Sequence, residues 1–263
     1  MVGLELLIVD VDGTLVGDEQ TLGEFAAWWA EHGASMRLVY SSVRFFGSVQ
    51  ATIEATRLPP PNAIIGGLGT EIHRFPEGVP FQHWQDRWWP HWDAARVRRT
   101  LAGFEELQLQ SPEAQSAFKT SYHIDHPSQE LLCAIRRALA AVGVPAGLVY
   151  SSPQTLDVLP RGANTGAAGM FLAQEWGVPR HAVAVAGQSG SDASLYLHGC
   201  CGILVASAPH EFKTLIGDAA YLSRLPYAAG VVDGLRYWLA HPPTAFRGRP
   251  RPAATMVQDG RAY

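Results

Sequence analysis

Two acids, Asp10 and Asp12, stand two positions apart at the end of an apolar run. Residues 4–11 read LELLIVDV, which is typical of a strand buried in a parallel sheet, and the run breaks at Asp12-Gly13-Thr14. Open α/β sheets bind ligands at the carboxyl ends of their strands. Two carboxylates at such an end can bind a cation, and one can attack phosphorus while the other serves as general acid and base. The structural alternative is that both acids only cap the turn that follows.

The elements around these acids alternate between strand and helix. A helix is predicted over residues 21–32, and it is followed by the strand RLVY, which ends at Ser41-Ser42. A second helix is predicted over residues 46–56, and AIIGGLGTEI then predicts a strand and a hairpin. This order indicates βαβ units that form a parallel sheet.

The pattern changes between residues 81 and 159. This segment holds a tryptophan cluster at helical spacing, then KTSYHID and GLVYSS as strands with LLCAIRRALAAVG as a helix between them. We expect the tryptophans to pack rather than to stack on sugar rings. After residue 160 the alternation returns, with helices at 166–176 and 191–198 and strands at AVAVAG and GILVAS.

The predicted fold is therefore α/β, a Rossmann-like parallel-sheet core with an inserted α+β cap domain. The core is expected to comprise residues 1–80 and 160–240 and the cap residues 81–159. Residues 241–263 are rich in proline and arginine without periodicity, which predicts a flexible tail.

Composition narrows the classes of partner. Hydrophobic residues make up 47% and charged residues 17% of the 263 residues, with a net charge of -4, which does not favour a nucleic-acid-binding protein. No run reaches the roughly 18 apolar residues of a membrane helix, so we expect a cytoplasmic protein with a small-molecule partner. The three cysteines fit neither a disulfide framework nor a zinc site, and we expect buried free thiols.

Five phrases occur in a characteristic order, namely DVDGTLVGDEQ, LVYSSVR, LGTEI, LDVLPRGANTG and GQSGSD. This order resembles the haloacid-dehalogenase superfamily, and DGTLVGDEQ, LVYSSVR, FKTSY and LDVLP resemble the sucrose-phosphate phosphatases over about residues 5–235. The resemblance implies that Asp10 is the nucleophile and Asp12 the general acid and base. It also implies that Ser42, rather than Ser41, binds the transferring phosphoryl group together with the backbone N–H of Val43.

The chain departs from the family at two motifs. The family has a lysine after the asparagine of its third motif, where this chain has Thr165, which remains a candidate phosphate contact without a charge. The family's fourth motif reads GDSGND, and Gln188 stands where its first aspartate binds magnesium, which leaves Asp192 as the acid. An amide is a weaker Mg²⁺ ligand than a carboxylate, so Mg²⁺ binding is expected to be weakened.

The resemblance implies a set of ligands and substrate contacts. The expected metal ligands are Asp10, Asp12 through its carbonyl oxygen, Gln188 and Asp192. Arg44 and Arg161 are candidates to replace the missing lysine, although the planar fork of arginine differs from an ammonium group. Arg44 is accordingly a candidate substrate contact, and Lys119 of the cap is another, with a solvated surface lysine as the alternative.

These residues predict a phosphatase that acts on a sugar phosphate, similar to sucrose phosphate, through an aspartyl-phosphate intermediate. Two alternatives remain. The first is a catalytically degenerate protein of the same fold that binds a sugar phosphate or regulates another enzyme, for which a protein partner is expected. The second is an enzyme that uses the two carboxylates for acid/base chemistry without hydrolysis.

Overall fold

The computed structural model describes residues 3–151 and 154–242, and these divide into two compact units. The first unit contains the described residues up to Phe81 and those from Asn164 onward, and the second contains those from Gln82 to Ala163. The second unit is thus inserted into the sequence of the first.

The strands, in chain order, are β1 (Leu6–Asp10), β2 (Arg37–Ser41), β3 (Ala63–Gly66), β4 (Glu71–Arg74), β5 (Gln108–Leu109), β6 (Thr120–His123), β7 (Ala146–Ser151), β8 (Thr155–Pro160), β9 (Val183–Gly187), β10 (Cys201–Leu204) and β11 (Ala220–Leu222). The α-helices are α1 (Glu19–His32), α2 (Phe46–Ala55), α3 (Gln82–Gln85), α4 (Ala94–Leu101), α5 (Gln129–Ala141), α6 (Thr165–Glu175), α7 (His210–Ile216) and α8 (Tyr227–Ala240).

The first unit is built on a seven-stranded sheet in the order β11-β10-β9-β1-β2-β3-β4. All neighbouring strands pair in parallel except β3 and β4, which form an antiparallel hairpin. Every residue of β1, β3, β9 and β10 is buried, as expected for strands of a parallel sheet that is covered on both faces. The strand that ends in Asp10 therefore lies between β9 and β2, in the middle of the sheet.

Helix α1 shows how the local sequence sets a boundary. Asp18 precedes the helix with extended backbone, and its carboxylate accepts the N–H of Thr21 at 2.8 Å, which satisfies a donor that the first turn leaves open. Leu22, Phe25 and Trp28 recur at helical spacing and are buried in the core of the first unit. The structure thus begins the helix two residues before the predicted start.

The second unit is a four-stranded antiparallel sheet in the order β5-β6-β8-β7, with α3, α4 and α5 as its helices. Helix α5 begins after Ser128, whose hydroxyl accepts the N–H of Leu131 at 3.2 Å, and it buries Leu132, Ile135 and Leu139. The predicted fold class, a parallel-sheet α/β core with an inserted α+β domain, is confirmed.

Four further local predictions remain, of which three can be compared with the structure. The tryptophan segment begins with a single helical turn, Gln82–Gln85, and does not continue as an α-helix through the later tryptophans. Residues 191–198 fall within a 3-10 helix, Gly190–His198, rather than an α-helix. Cys200 and Cys201 are buried, but Cys133 is exposed because it lies on the outer face of α5. The predicted tail lies outside the described residues from residue 243 onward.

Trp84, Trp88 and Trp92 are buried, and the indole Nε1 of Trp92 donates to the carbonyl of Ala117 at 2.7 Å. These contacts agree with a packing role for these three tryptophans, whereas Trp89 is 57% exposed and contacts the ring of Phe118 at one edge. Over the described ranges, each helix is too short or too polar to cross a lipid bilayer.

Leu7 and Leu239 allow a matched test of the core. Leu7 is 0% exposed in β1, whereas Leu239 is 43% exposed at the end of α8. We expect Leu7→Ala to lower the free energy of unfolding by about 2–5 kcal/mol, because the cavity adds to the lost burial. We expect Leu239→Ala to lower the free energy of unfolding by well under half as much as Leu7→Ala does. Urea titrations followed by circular dichroism measure both, and equal losses would contradict the assignment of Leu7 to the core.

Candidate active site

The carboxyl ends of β9, β1 and β2 lie side by side, since these strands are neighbours and run parallel. The loops that follow them carry Gln188 and Asp192, Asp12, and Ser42. Three of the five quoted phrases are therefore brought to one edge of the sheet by strand order alone. This edge is the expected ligand position in an open α/β sheet.

Asp10 is the last residue of β1 and is 6% exposed. Its Oδ2 accepts the hydroxyl of Thr14 at 2.8 Å, and this bond fixes the rotation of the carboxylate. Burial raises the pKa of Asp10 well above its usual range, and the negative charge of Asp192 raises it further. The nucleophile predicted from the sequence is thus held rigidly in a site of low dielectric constant.

Asp12 has a more open setting, with 48% of its side chain exposed. Arg44 binds it through two parallel hydrogen bonds, Nε to Oδ2 and Nη2 to Oδ1, each 2.8 Å long. The hydroxyl of Ser42 also donates to Oδ2, at 3.1 Å, and accepts the backbone N–H of Arg44 at 3.0 Å. Arg44, expected to contact substrate, is in this arrangement bound to the predicted general acid and base.

The neighbouring Ser41 differs from Ser42. Its hydroxyl is buried and has no hydrogen-bond partner among the described residues. The side chain that reaches Asp12 is that of Ser42, the residue favoured by the sequence.

Asp192 lies in the first turn of the 3-10 helix that follows β9 and is buried. Its Oδ2 accepts the backbone N–H groups of Gln188 and Ser189 and the hydroxyl of Ser189, each at 3.0 Å. Burial raises the pKa of Asp192 to about 6, although these hydrogen bonds oppose the increase. Asp192 therefore organises its own loop and adds a second buried carboxyl group near Asp10.

Gln188 lies against the turn that carries Asp12. Its Nε2 donates to the main-chain carbonyl of Asp12 at 3.2 Å, and a carbonyl can only accept, so the amide nitrogen must face it. An ideal Cβ on Gly13 would lie 1.7 Å from that nitrogen, and Gly13 has a φ of +77°. Only glycine at position 13 therefore permits both this turn and the close approach of Gln188.

The donor atoms of this edge can be compared with the needs of a metal ion. Within the described part of the chain, no three histidine, cysteine or acidic side chains are grouped to hold one. Asp10 and Asp192 nevertheless form a pair of buried acids, and the charges that act most on Asp10 are those of Asp192 and Asp12. A divalent cation would offset this repulsion, and Mg²⁺ prefers such oxygen ligands. The charge of these residues therefore fits a divalent cation. The carbonyl oxygen of Asp12, an expected ligand, already accepts a hydrogen bond from the Gln188 amide.

Thr165 is the first residue of α6 and is buried. Asn164 caps this helix, because its side chain accepts the N–H of Ala167 at 2.7 Å. An ideal Cβ on Gly69 would lie 2.3 Å from the carbonyl carbon of Asn164, so the tip of the β3–β4 hairpin packs against the start of α6. Thr165 contributes a hydroxyl but no charge.

Lys119 belongs to the second unit and forms an ion pair there. Its Nζ lies 3.4 Å from Oδ1 of Asp157, and the two side chains are 8% and 3% exposed. The hydroxyl of Ser121 also donates to Oδ1 of Asp157. The alternative of a solvated surface lysine is therefore wrong for Lys119. Arg161 lies in the same unit, near its carboxyl end.

Sequence reasoning did not assign roles to Thr14 or Glu71. Thr14 is part of the DVDGT phrase, four residues after Asp10, but its hydrogen bond depends on the shape of the turn. Glu71 is part of LGTEI, which predicts only a strand and a hairpin. Its carboxylate accepts the backbone N–H of Phe46 at 2.6 Å, a contact across 25 residues that no local pattern indicates.

Comparison with known proteins gives the family. A family model described as sucrose-6F-phosphate phosphohydrolase matches residues 4–239. Mannosylfructose-phosphate phosphatase of Agrobacterium fabrum (strain C58) is 30% identical over 244 residues, which cover 91% of this chain and 98% of that protein. Sucrose-phosphatase 2 of Nicotiana tabacum is 28% identical over 217 residues, 78% of this chain, and the chain spans only 51% of the length of that relative.

Among solved structures, the chain is similar to the sucrose-phosphatase from Synechocystis sp. PCC6803 in complex with sucrose and phosphate. The TM-score is 0.82 at 28% sequence identity, and the match covers 90% of this chain and 98% of that chain. These findings confirm the resemblance drawn from the sequence. The chain belongs to the sucrose-6F-phosphate phosphohydrolase family, within the haloacid-dehalogenase-like superfamily.

Proposed function

We propose that the protein is a phosphatase that hydrolyses a sugar phosphate, of the disaccharide phosphate class, through an aspartyl-phosphate on Asp10. The observation that carries this proposal is the pairing of Asp10 with Asp12. The first is buried and fixed by Thr14, while the second is half exposed and held by Arg44 and Ser42. The family resemblance assigns the nucleophile to Asp10 and the proton transfers to Asp12. A divalent cation bound beside Asp10 would offset the burial and the charge of Asp192 that raise its pKa, and would so keep the nucleophile ionised.

The substrate class rests on the relatives. One is named mannosylfructose-phosphate phosphatase, another sucrose-phosphatase, and the Synechocystis structure holds sucrose and phosphate. Lys119 is our candidate for a substrate contact from the second unit, with its ammonium beside Asp157.

The proposed reaction has two steps. A carboxylate oxygen of Asp10 attacks phosphorus and the bond from phosphorus to the sugar oxygen breaks, while Asp12 gives a proton to that oxygen. Asp12 then accepts a proton from water, whose oxygen attacks the phosphorus of the aspartyl-phosphate and releases inorganic phosphate and free Asp10. The Ser42 hydroxyl and the Val43 N–H would hold a phosphoryl oxygen through both steps, with Thr165 as a further neutral contact.

A magnesium ion would be held by Asp10, Asp192 and the neutral oxygens of Asp12 and Gln188, and would supply positive charge to the phosphoryl oxygens. Gln188 is proposed to weaken this binding for two reasons. It brings no negative charge, and its amide nitrogen already donates to the carbonyl of Asp12.

The central test is phosphate release from a panel of sugar phosphates, including sucrose phosphate and mannosylfructose phosphate, with and without Mg²⁺. We expect release that Asp10→Asn reduces by about 10³-fold or more, because the amide is a poor nucleophile. Leu239→Ala, remote from these loops, serves as the control. Saturable binding of one sugar phosphate without release would instead identify a binding protein, which Thr165 and Gln188 would then explain.

A second test compares Gln188→Asp with Gln188→Asn, two side chains of equal size that differ in charge. We expect Gln188→Asp to bind Mg²⁺ at least ~10-fold more tightly than the parent, and Gln188→Asn to bind no more than ~3-fold more tightly, because the added carboxylate is a hard ligand. Isothermal titration with Mg²⁺ measures this without substrate, and the Mg²⁺-dependent rise in melting temperature provides a second readout. Equal affinities for both variants would contradict a weakening by Gln188.

A further inference from the structure

Residues 42–45, here called the Ser42 loop, connect β2 to helix α2. The residue that precedes α2, Phe45, does not cap it with its side chain. The first N–H groups of a helix have no partner within the helix and need one from elsewhere. Glu71 of β4 supplies it, since its Oε1 accepts the N–H of Phe46 at 2.6 Å. A carboxylate at this end also interacts favourably with the helix dipole.

Glu71 is itself held from several sides. It pairs across the hairpin with Gly66, where an ideal Cβ would lie 2.5 Å from Oε1, so a side chain at position 66 would displace the carboxylate from its present place. Its Oε2 lies 3.6 Å from Nε2 of His73, and Nδ1 of His73 is 3.0 Å from the carbonyl of Gly78. The ring of His73 stacks on Phe46 with 4.8 Å between centroids. The carboxylate is therefore fixed against the first residue of α2.

The hairpin tip also holds the preceding loop by its backbone. The N–H of Gly67 donates to the carbonyl of Arg44 at 2.9 Å, and the N–H of Leu68 donates to the carbonyl of Ser42 at 3.2 Å. Leu68 is buried and has a φ of +60°, a conformation that leucine rarely adopts. Strained backbone of this kind persists only where its surroundings enforce it.

Arg44 links helix α2 to the carboxylate of Asp12. Its Nη1 donates to the hydroxyls of Ser48 at 3.2 Å and Thr52 at 2.9 Å, both on α2, while Nε and Nη2 bind Asp12. The direction of the guanidinium is thus set by two side chains of α2. The start of α2 is in turn set by Glu71.

We propose that Glu71 is a positioning residue, which fixes the start of α2 and thereby the orientation in which Arg44 holds Asp12. This inference rests on the proposed function, in which Asp12 transfers the protons. Glu71 makes no hydrogen bond to Asp10 or Asp12 in the described structure, so its proposed effect passes through α2 and Arg44.

The kinetic test is a double-mutant cycle of Glu71→Ala and Arg44→Met. We expect Glu71→Ala to lower kcat on the order of 10-fold with little change in KM, because small misplacements of a reacting group are costly. Within the Arg44→Met background the same substitution is expected to cost less than ~2-fold, because both act through one contact. Glu71→Gln should recover most of the rate, since its amide oxygen can still accept the N–H of Phe46.

Glu54→Ala is the matched control, an exposed glutamate of α2 that should leave kcat unchanged. If Glu71→Ala lowered kcat by the same factor in both backgrounds, Glu71 would act independently of Arg44 and the inference would be overturned.

A readout without substrate separates this inference from the proposed function. The Nε–H of Arg44 gives an NMR cross-peak that is identified by its loss in Arg44→Met. We expect Glu71→Ala to shift this peak and speed its exchange with solvent, whereas Glu54→Ala leaves it unchanged. An unchanged peak in Glu71→Ala would overturn the inference even if the enzyme is active. Absence of phosphate release by the parent protein would refute the proposed function, and the Arg44 peak would still decide the role of Glu71.

Discussion

Asp10 and Asp192 place two buried carboxyl groups at the centre of one sheet edge, where the negative charge of Asp192 raises the pKa of Asp10. Burial and like charge raise the pKa of both acids, so the fold keeps them in place at a cost in free energy. The cost is offset in part because Asp10 ends a fully buried strand and accepts the Thr14 hydroxyl, while the Asp192 carboxylate accepts three hydrogen bonds from Gln188 and Ser189. A site strained in this way favours ligands that bring positive charge.

Asp12 and Asp10 differ in the charge of the side chains that bind them. Arg44 binds Asp12, while the hydrogen bond that holds the Asp10 carboxylate comes from the neutral Thr14. Thr165 adds no charge, and the hydrogen bonds described for the carboxylates of Asp10 and Asp192 come from neutral groups. Gln188 offers only the partial positive charge of its amide, and it directs this to the carbonyl of Asp12.

The β3–β4 hairpin links the loops of this edge. Its tip donates two backbone hydrogen bonds to the Ser42 loop, its Gly69 packs on Asn164, and its Glu71 caps α2. A short antiparallel addition to a parallel sheet thus supports two loops that are far apart in the sequence. The unusual backbone of Leu68 lies at the point where these contacts meet.

The sequence alone predicted the fold class and which polar side chains follow the central strands, for reasons that are local. Buried strands that break at polar residues, as at Asp10 and at Ser41-Ser42, predict which side chains reach the ligand edge, because parallel strands end together. Contacts between distant segments could not be read in this way. The pairing of Arg44 with Asp12, the amide of Gln188 on the Asp12 carbonyl and the Glu71 cap each join residues 25 or more positions apart. Such contacts depend on the directions of side chains and loops, which packing sets only when the whole sheet has formed.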